Sequence, residues 1–201
     1  MAALSKIPRG HYARCGHCRL LILDARDQLS ESAARARYEA HKNDPADPAY
    51  RKFFSPLVEA LAARLQAPAE ILDYGTGTAS ALPGMLTERG YSLRTFDPLF
   101  DPNPVSLTRD YDAVTCTETL EHFRFPALEF DKLQGLLRPG GILAVMTLIL
   151  QSGQDFASWW YREDPTHIAF YEEETLRWIA ARWGWKIEIL SPRLIMYSKA
   201  P

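Results

Sequence analysis

Carboxylates, glycines and histidines stand in this sequence where short apolar runs end. Asp73 opens the stretch Asp73-Tyr-Gly-Thr-Gly-Thr-Ala-Ser80, Asp97 follows the run Leu93–Phe96, and Thr117-Glu118 close a run that begins at Ala113. Glycine has no Cβ, so at Gly75 and Gly77 the backbone can approach a ligand closely and take positive φ angles. A carboxylate about 20 residues beyond such a loop, the place of Asp97, can accept hydrogen bonds from a ribose diol. Glu121-His122 and His167 are the acid–base candidates, because imidazole exchanges a proton near neutral pH with a hydroxyl or an amine. Each histidine also reads as a hydrogen-bonded structural residue, His122 more so than His167; His167 is the better acid–base candidate because Asp164-Pro165 forces a turn after the Ile142 strand.

The loop's nearest physical alternatives are a dinucleotide and a cationic nucleoside. Gly75-x-Gly77 supplies two positions of a Gly-x-Gly-x-x-Gly fingerprint, but Ser80 occupies the third. A pyrophosphate would also meet the negative charge of Asp73, whereas a zwitterionic or cationic nucleoside would be attracted to it. That favours S-adenosylmethionine over NAD.

Two further groups carry chemistry. Phe156, Trp159, Trp160 and Tyr161 form an aromatic cluster before His167, read either as a lid over a planar or apolar acceptor or as ordinary core packing. Cys15-Gly-His-Cys18 has the spacing of half a zinc site, with His11 and His17 nearby, but it lacks a second cysteine pair. Zinc at Cys15 and Cys18 is the less favoured reading and exposed reduced thiols the favoured one; Cys116, in an apolar run, reads as a small buried residue.

These groups need a scaffold that brings strand ends together. After residue 67 the pattern alternates: strand Ile71–Leu72, a glycine turn, a helix with Leu82, Met85 and Leu86, then strands at Leu93–Phe96, Ala113–Thr117 and Ile142–Thr147. A helix over Leu128–Leu137 stops at Pro139-Gly140-Gly141. A last helix places Leu176, Ile179, Ala180 and Trp183 on one face before a hairpin, Lys186–Leu190 and Leu194–Ser198. The expected fold is α/β: a Rossmann-like doubly wound sheet, mostly parallel, with a C-terminal antiparallel hairpin. Residues 1–67 are expected to form a helical N-terminal cap carrying the Cys-x-x-Cys segment, with a helix capped by Ser30 and Leu57, Leu61 and Leu65 at helical spacing. Residues 68–201 are expected to form the cofactor-binding domain. Tyr38, His41 and Tyr50 are placed to cover a cofactor.

Composition narrows the classes. With 201 residues, 47% hydrophobic and 24% charged, the chain matches one globular domain and not a disordered or collagen-like protein. Its 23 basic and 25 acidic residues give a net charge of −2, so generic nucleic-acid binding is not expected. The longest apolar run, Gly141–Leu150, is about half of the ~20 residues that span a bilayer, and Met1–Gly10 carries no signal-peptide core, so a cytoplasmic protein without membrane contact is expected.

In Ile71-Leu-Asp-Tyr-Gly-Thr-Gly77, Thr95-Phe-Asp97, Tyr111-Asp-Ala-Val-Thr-Cys-Thr-Glu-Thr-Leu-Glu-His122, Leu137-Arg-Pro-Gly-Gly141 and Asp164-Pro-Thr-His167 the chain resembles the class I S-adenosylmethionine-dependent methyltransferases, specifically the small bacterial methyltransferase-domain proteins. The resemblance covers most of the sequence. It implies that Asp73, Gly75 and Gly77 hold the amino-acid end of S-adenosylmethionine and Asp97 its ribose. Thr117 and Glu118 would line it near the methyl group, with Tyr74, Thr76 and Pro98 among the cofactor-binding residues. Leu99–Asp110, rich in proline and acids, departs from the pattern by lacking a convincing third strand, and no adenine-contacting residue is assigned there. The implied activity is methyl transfer to a small-molecule acceptor by direct displacement, with no metal required and S-adenosylhomocysteine as product. The alternatives are a catalytically inactive cofactor-binding or scaffolding module and, less favoured, an NAD-dependent oxidoreductase.

Overall fold

A computed structural model describes residues 2–3 and 10–201; residues 1 and 4–9 of the expected cap lie outside the described residues. In chain order the elements are β1 (Ala2–Ala3), β2 (Tyr12–Arg14), β3 (Leu21–Leu23), α1 (Glu31–Glu39), α2 (Pro48–Ala62), β4 (Glu70–Tyr74), α3 (Leu82–Glu88) and β5 (Ser92–Phe96). They continue with β6 (Tyr111–Thr117), α4 (Pro126–Leu136), β7 (Leu137–Met146), β8 (Ala169–Phe170), α5 (Glu173–Trp183), β9 (Lys186–Ile189) and β10 (Leu194–Ser198).

The main sheet runs β5-β4-β6-β7-β10-β9. The first four strands are parallel, and β10 pairs antiparallel with both β7 and β9. Parallel strands covered on both faces need apolar residues at consecutive positions, and β4 and β6 have them. Alternation then sends neighbours to opposite faces: Ile71 and Ala113 pack with Leu57, Leu61, Leu82 and Leu86 of α2 and α3. Leu72 and Val114 pack on the other side with Phe130 and Leu133 of α4 and Leu176 and Ile179 of α5.

Local chemistry sets the helix ends. The Ser30 hydroxyl accepts the Ala33 N–H, Asp47 accepts the Ala49 N–H just before Pro48, and Gly184 ends α5 at φ +69°. Between β5 and β6 the proline-rich segment forms a short 3-10 turn, Pro104–Leu107, where a third strand would stand.

The N-terminal region is not helical throughout, and this corrects the expected cap. Strands β1, β2 and β3 form a small antiparallel sheet with β8, in which Leu21 pairs with Phe170. Two- and three-residue strands are too short to show period-two alternation, and β8 lies far along the chain. Helices α1 and α2 follow this sheet as expected.

Candidate functional site

Strand β4 delivers its last residues to the carboxyl edge of the sheet, and the chain reverses there through Gly75 (φ +79°) and Gly77 (φ +65°). The Gly75 N–H donates to the Phe96 carbonyl at 2.7 Å, and a Cβ at this position would be driven into the Thr119 side chain. At Gly77 a Cβ would project into open space. The cleft beyond, of about 540 Å³, is lined by Thr76, Gly77, Thr78, Ser80, Thr95 and Asp101 among others.

Asp73 lies at the root of this turn and is wholly buried. Its Oδ1 accepts the Thr115 hydroxyl at 2.7 Å, while its Oδ2 has no hydrogen-bond partner. Burial pushes its pKa up to about 6, against the pull of the Thr115 hydroxyl and of the Thr76 hydroxyl, which stands beyond hydrogen-bond distance. A buried carboxylate oxygen without a donor is costly, so this position favours a ligand bringing N–H groups or positive charge.

Asp97 accepts the Gly77 N–H on Oδ2 at 2.9 Å, and the Leu99 and Phe100 N–H groups on Oδ1 at 2.8 and 3.0 Å. It therefore ties the glycine turn to the turn after β5, and Oδ2 keeps a lone pair for a further donor. Pro98 is exposed in that second turn. The Tyr74 side chain points away from the cleft: it packs against Phe96 and Phe123, and its hydroxyl donates to Glu129 of α4. Only its backbone belongs to the turn.

Thr117 ends β6, and Glu118 follows at φ +48°, its N–H held by the Met146 carbonyl at 2.7 Å. Arg193 grips both Glu118 oxygens through Nη1 at 2.7 and 2.8 Å. Burial and the charge of Glu121 nonetheless raise Glu118 to about 7, outweighing Arg193.

The two candidate histidines come together, their ring centres 4.9 Å apart. His122 Nδ1 lies 2.8 Å from the Thr166 carbonyl and His167 Nδ1 2.6 Å from the Tyr161 carbonyl. A carbonyl only accepts, so each Nδ1 carries the proton and each Nε2 presents a lone pair. Burial lowers both pKa values, that of His167 to about 4. Beside them Glu121, fully buried, accepts hydroxyls from Tyr161 and Thr147.

The cap reaches the cleft from above. Tyr38 of α1 packs edge-on against His122 and Phe100, Arg35 donates to the Leu99 carbonyl at 2.8 Å, and Arg37 pairs with Asp164 at 2.8 Å. His41 Nε2 lies 4.0 Å from Asp164, and Tyr50 packs on Phe54 within α2. The aromatic cluster divides: Phe156, Trp159 and Tyr161 are buried with Tyr12 and Phe170 beneath the small sheet, so the core-packing reading holds for them. Trp160 alone is exposed. Cys15 and Cys18 occupy the β2–β3 turn as half-buried free thiols, and among the described residues no group of three or more metal-ligating side chains includes them. Cys116 is buried.

Thr115, Thr119, Thr147 and Arg193 were not legible as site residues. The threonines lie in or just after apolar strands and read as β formers. Arg193 follows a Ser-Pro turn in the terminal hairpin and reads as a solvent-facing charge; it reaches Glu118 only because β10 lies beside β7.

A family model described as a methyltransferase domain matches residues 47–189. The chain belongs to this methyltransferase family. The class I S-adenosylmethionine-dependent assignment made from its motifs agrees with that match and with the sheet. Among solved structures, 1,6-didemethyltoxoflavin-N1-methyltransferase of Burkholderia thailandensis, solved with 1,6-didemethyltoxoflavin and S-adenosylhomocysteine, is similar over 100% of both chains at 16% identity and TM-score 0.62. An O-methyltransferase family protein of the same organism is similar at 14% identity and TM-score 0.55, over 85% of this chain and 60% of that one. Phosphoethanolamine N-methyltransferase 2 of Haemonchus contortus, solved with S-adenosyl-L-methionine, has 16% identity and TM-score 0.53, over 72% of this methyltransferase and 43% of that chain. At these identities the likeness is one of fold. No curated protein matches the sequence. No helix among the described residues is long and apolar enough to cross a membrane.

Proposed function

We propose that this methyltransferase transfers the methyl group of S-adenosylmethionine to a small-molecule acceptor. The observation that carries this is the buried, unpartnered Oδ2 of Asp73 at the root of a glycine turn whose front is open. Asp73 would receive the cofactor's ammonium, directly or through water, while Gly75 and Gly77 keep side chains out of its path. The free lone pair of Asp97 Oδ2 would take a ribose hydroxyl. Thr76 lines the same cleft, and Thr117 and Glu118, at the neighbouring strand end, would face the transferable methyl.

When bound, the cofactor supplies an electrophilic sulfonium methyl, and the protein's work is alignment in a water-poor pocket. The Nε2 lone pairs of His167 and His122 would accept hydrogen bonds from the acceptor's hydroxyl or amine and so aim its nucleophilic lone pair. A pKa near 4 keeps His167 neutral for this task but makes it a weak proton sink. Calorimetry tests the cofactor: saturable binding of S-adenosylhomocysteine and none of NADH is expected, and the reverse would establish the oxidoreductase alternative. Radiolabelled methyl passing from S-adenosylmethionine into a small-molecule extract is expected; binding without transfer would favour the inactive module.

A further inference from the structure

We propose that Glu121, His122 and His167 form a binding site for one divalent transition-metal ion on the acceptor side of the cleft. A nitrogen from each ring and a carboxylate oxygen of Glu121 lie within 4.8 Å of one another. Two imidazoles and a carboxylate are an N/N/O donor set that suits zinc, iron or manganese, and three protein ligands leave positions open for an exogenous one.

The surroundings are those of metal ligands and not of three unrelated side chains. A ligating histidine normally donates its second ring N–H to a carbonyl or carboxylate, which turns the other nitrogen outward. Both rings do this, His122 to the Thr166 carbonyl and His167 to the Tyr161 carbonyl. A ligating carboxylate is itself hydrogen-bonded, and Glu121 holds the Tyr161 and Thr147 hydroxyls.

Charge supplies a separate argument. The neighbouring carboxylates have cations of their own, Glu118 from Arg193 and Asp164 from Arg37. Glu121 is fully buried; among the described residues its side-chain hydrogen-bond partners are neutral hydroxyls, and the Arg193 charge, gripped by Glu118, acts on it only from a distance. A buried carboxylate is paired, protonated or metal-bound. A cation held by Glu121 and the unprotonated nitrogen of each ring would satisfy all three groups together.

With an ion bound, the two Nε2 lone pairs are engaged by it, and the ion takes over from them the task of aiming the acceptor: a molecule presenting an oxygen or nitrogen lone pair, such as a hydroxyl, carboxylate or amine, would fill an open coordination position. The inference rests on the acceptor-side reading of the site for its location, yet metal binding needs neither cofactor nor acceptor.

The test uses the full chain with Cys15→Ser and Cys18→Ser, so that the thiols cannot contribute, stripped of metal and titrated with Zn²⁺ and, for its spectrum, Co²⁺. One ion per chain is expected, with a Co²⁺ spectrum of nitrogen and oxygen ligation. Tyr161→Phe, which removes a hydroxyl from Glu121, should weaken binding roughly 10- to 100-fold, and His122→Ala or His167→Ala should weaken it more. Should an alanine variant fail to bind S-adenosylhomocysteine, His167→Gln replaces it. No saturable binding, or binding that these substitutions leave unchanged, overturns the site and leaves Glu121 protonated in its pocket. Zinc binding without S-adenosylhomocysteine binding would instead sink the cofactor reading and leave the metal site standing.

Discussion

The two ends of the proposed site, the glycine turn read as its cofactor end and the histidine cluster read as its acceptor end, are built on opposite principles. At the cofactor end a turn of two glycines presents backbone, and the side chains that matter, Asp73 and Asp97, lie at or within a few residues of the strand ends they close. At the acceptor end the backbone recedes. His122, His167, Glu121, Tyr161, Thr147 and Arg193 converge from five separate stretches of chain. The first end depends on conformation that only particular residues adopt; the second depends on packing that holds side chains in register. Substitutions at the first should therefore disturb cofactor affinity, and those at the second should disturb transfer.

The largest effect is expected at the glycine turn. Gly75→Ala introduces a Cβ at φ +79° and against Thr119. Left-handed strain of about 1–2 kcal/mol adds to the clash, so S-adenosylhomocysteine binding should fall at least about 30-fold by calorimetry. Adding Thr119→Ala should recover the steric part alone; full recovery would show that backbone conformation is not what the turn demands.

Trp159→Ala and Trp160→Ala separate packing from exposure within one loop. The buried Trp159 should lose about 3–5 kcal/mol of stability in denaturant unfolding, whereas Trp160, 64% exposed, should shift it by less than about 0.5 kcal/mol. A large loss at Trp160 would mean that it packs against something in solution.

Asp73→Asn should split stability from binding. A carboxyl raised to about 6 in the fold, against about 3.9 in the unfolded chain, binds more protons when folded, so stability without cofactor falls as pH rises through that window, by about 3 kcal/mol in all. Asparagine removes that dependence and should stabilise the cofactor-free protein above pH 6. The same change should weaken S-adenosylhomocysteine by about 1–3 kcal/mol. In the native protein, affinity should rise as pH passes upward through about 6, because the ionised carboxylate attracts the ammonium. A flat affinity profile from about pH 5 to about pH 8 would place the ammonium elsewhere.

The smaller changes are expected at Asp97 and His167. Asp97→Ala removes a ribose acceptor and the tie between two turns, and should weaken S-adenosylhomocysteine by about 1–3 kcal/mol. His167→Ala should lower methyl incorporation from radiolabelled S-adenosylmethionine while leaving S-adenosylhomocysteine affinity within about twofold. Equal losses in both would move His167 to the cofactor end.

Legibility follows the same division. The alternation of apolar strands with glycine-stopped helices, the Ser30 cap and the terminal hairpin express local periodicity and capping chemistry, which a linear sequence displays. The sheet β1-β2-β3-β8 was hidden because its strands are shorter than one period of reliable alternation. Tyr74 shows the complementary limit. It sits inside the turn's motif, yet strand alternation turns its side chain to the α4 face, where Glu129 takes its hydroxyl.

By itself the sequence determined the α/β scaffold, the position of the glycine turn and the acids at the strand ends, because period, cap and positive-φ preference act over a few residues. Tertiary structure alone decided that Asp73 keeps an unpartnered oxygen, that Arg193 reaches Glu118, and that His122 and His167 meet with their Nδ1 atoms capped by carbonyls. Burial and hydrogen-bond satisfaction are set by what packs nearby in space, and residues from distant strands and loops become neighbours only once the sheet has formed.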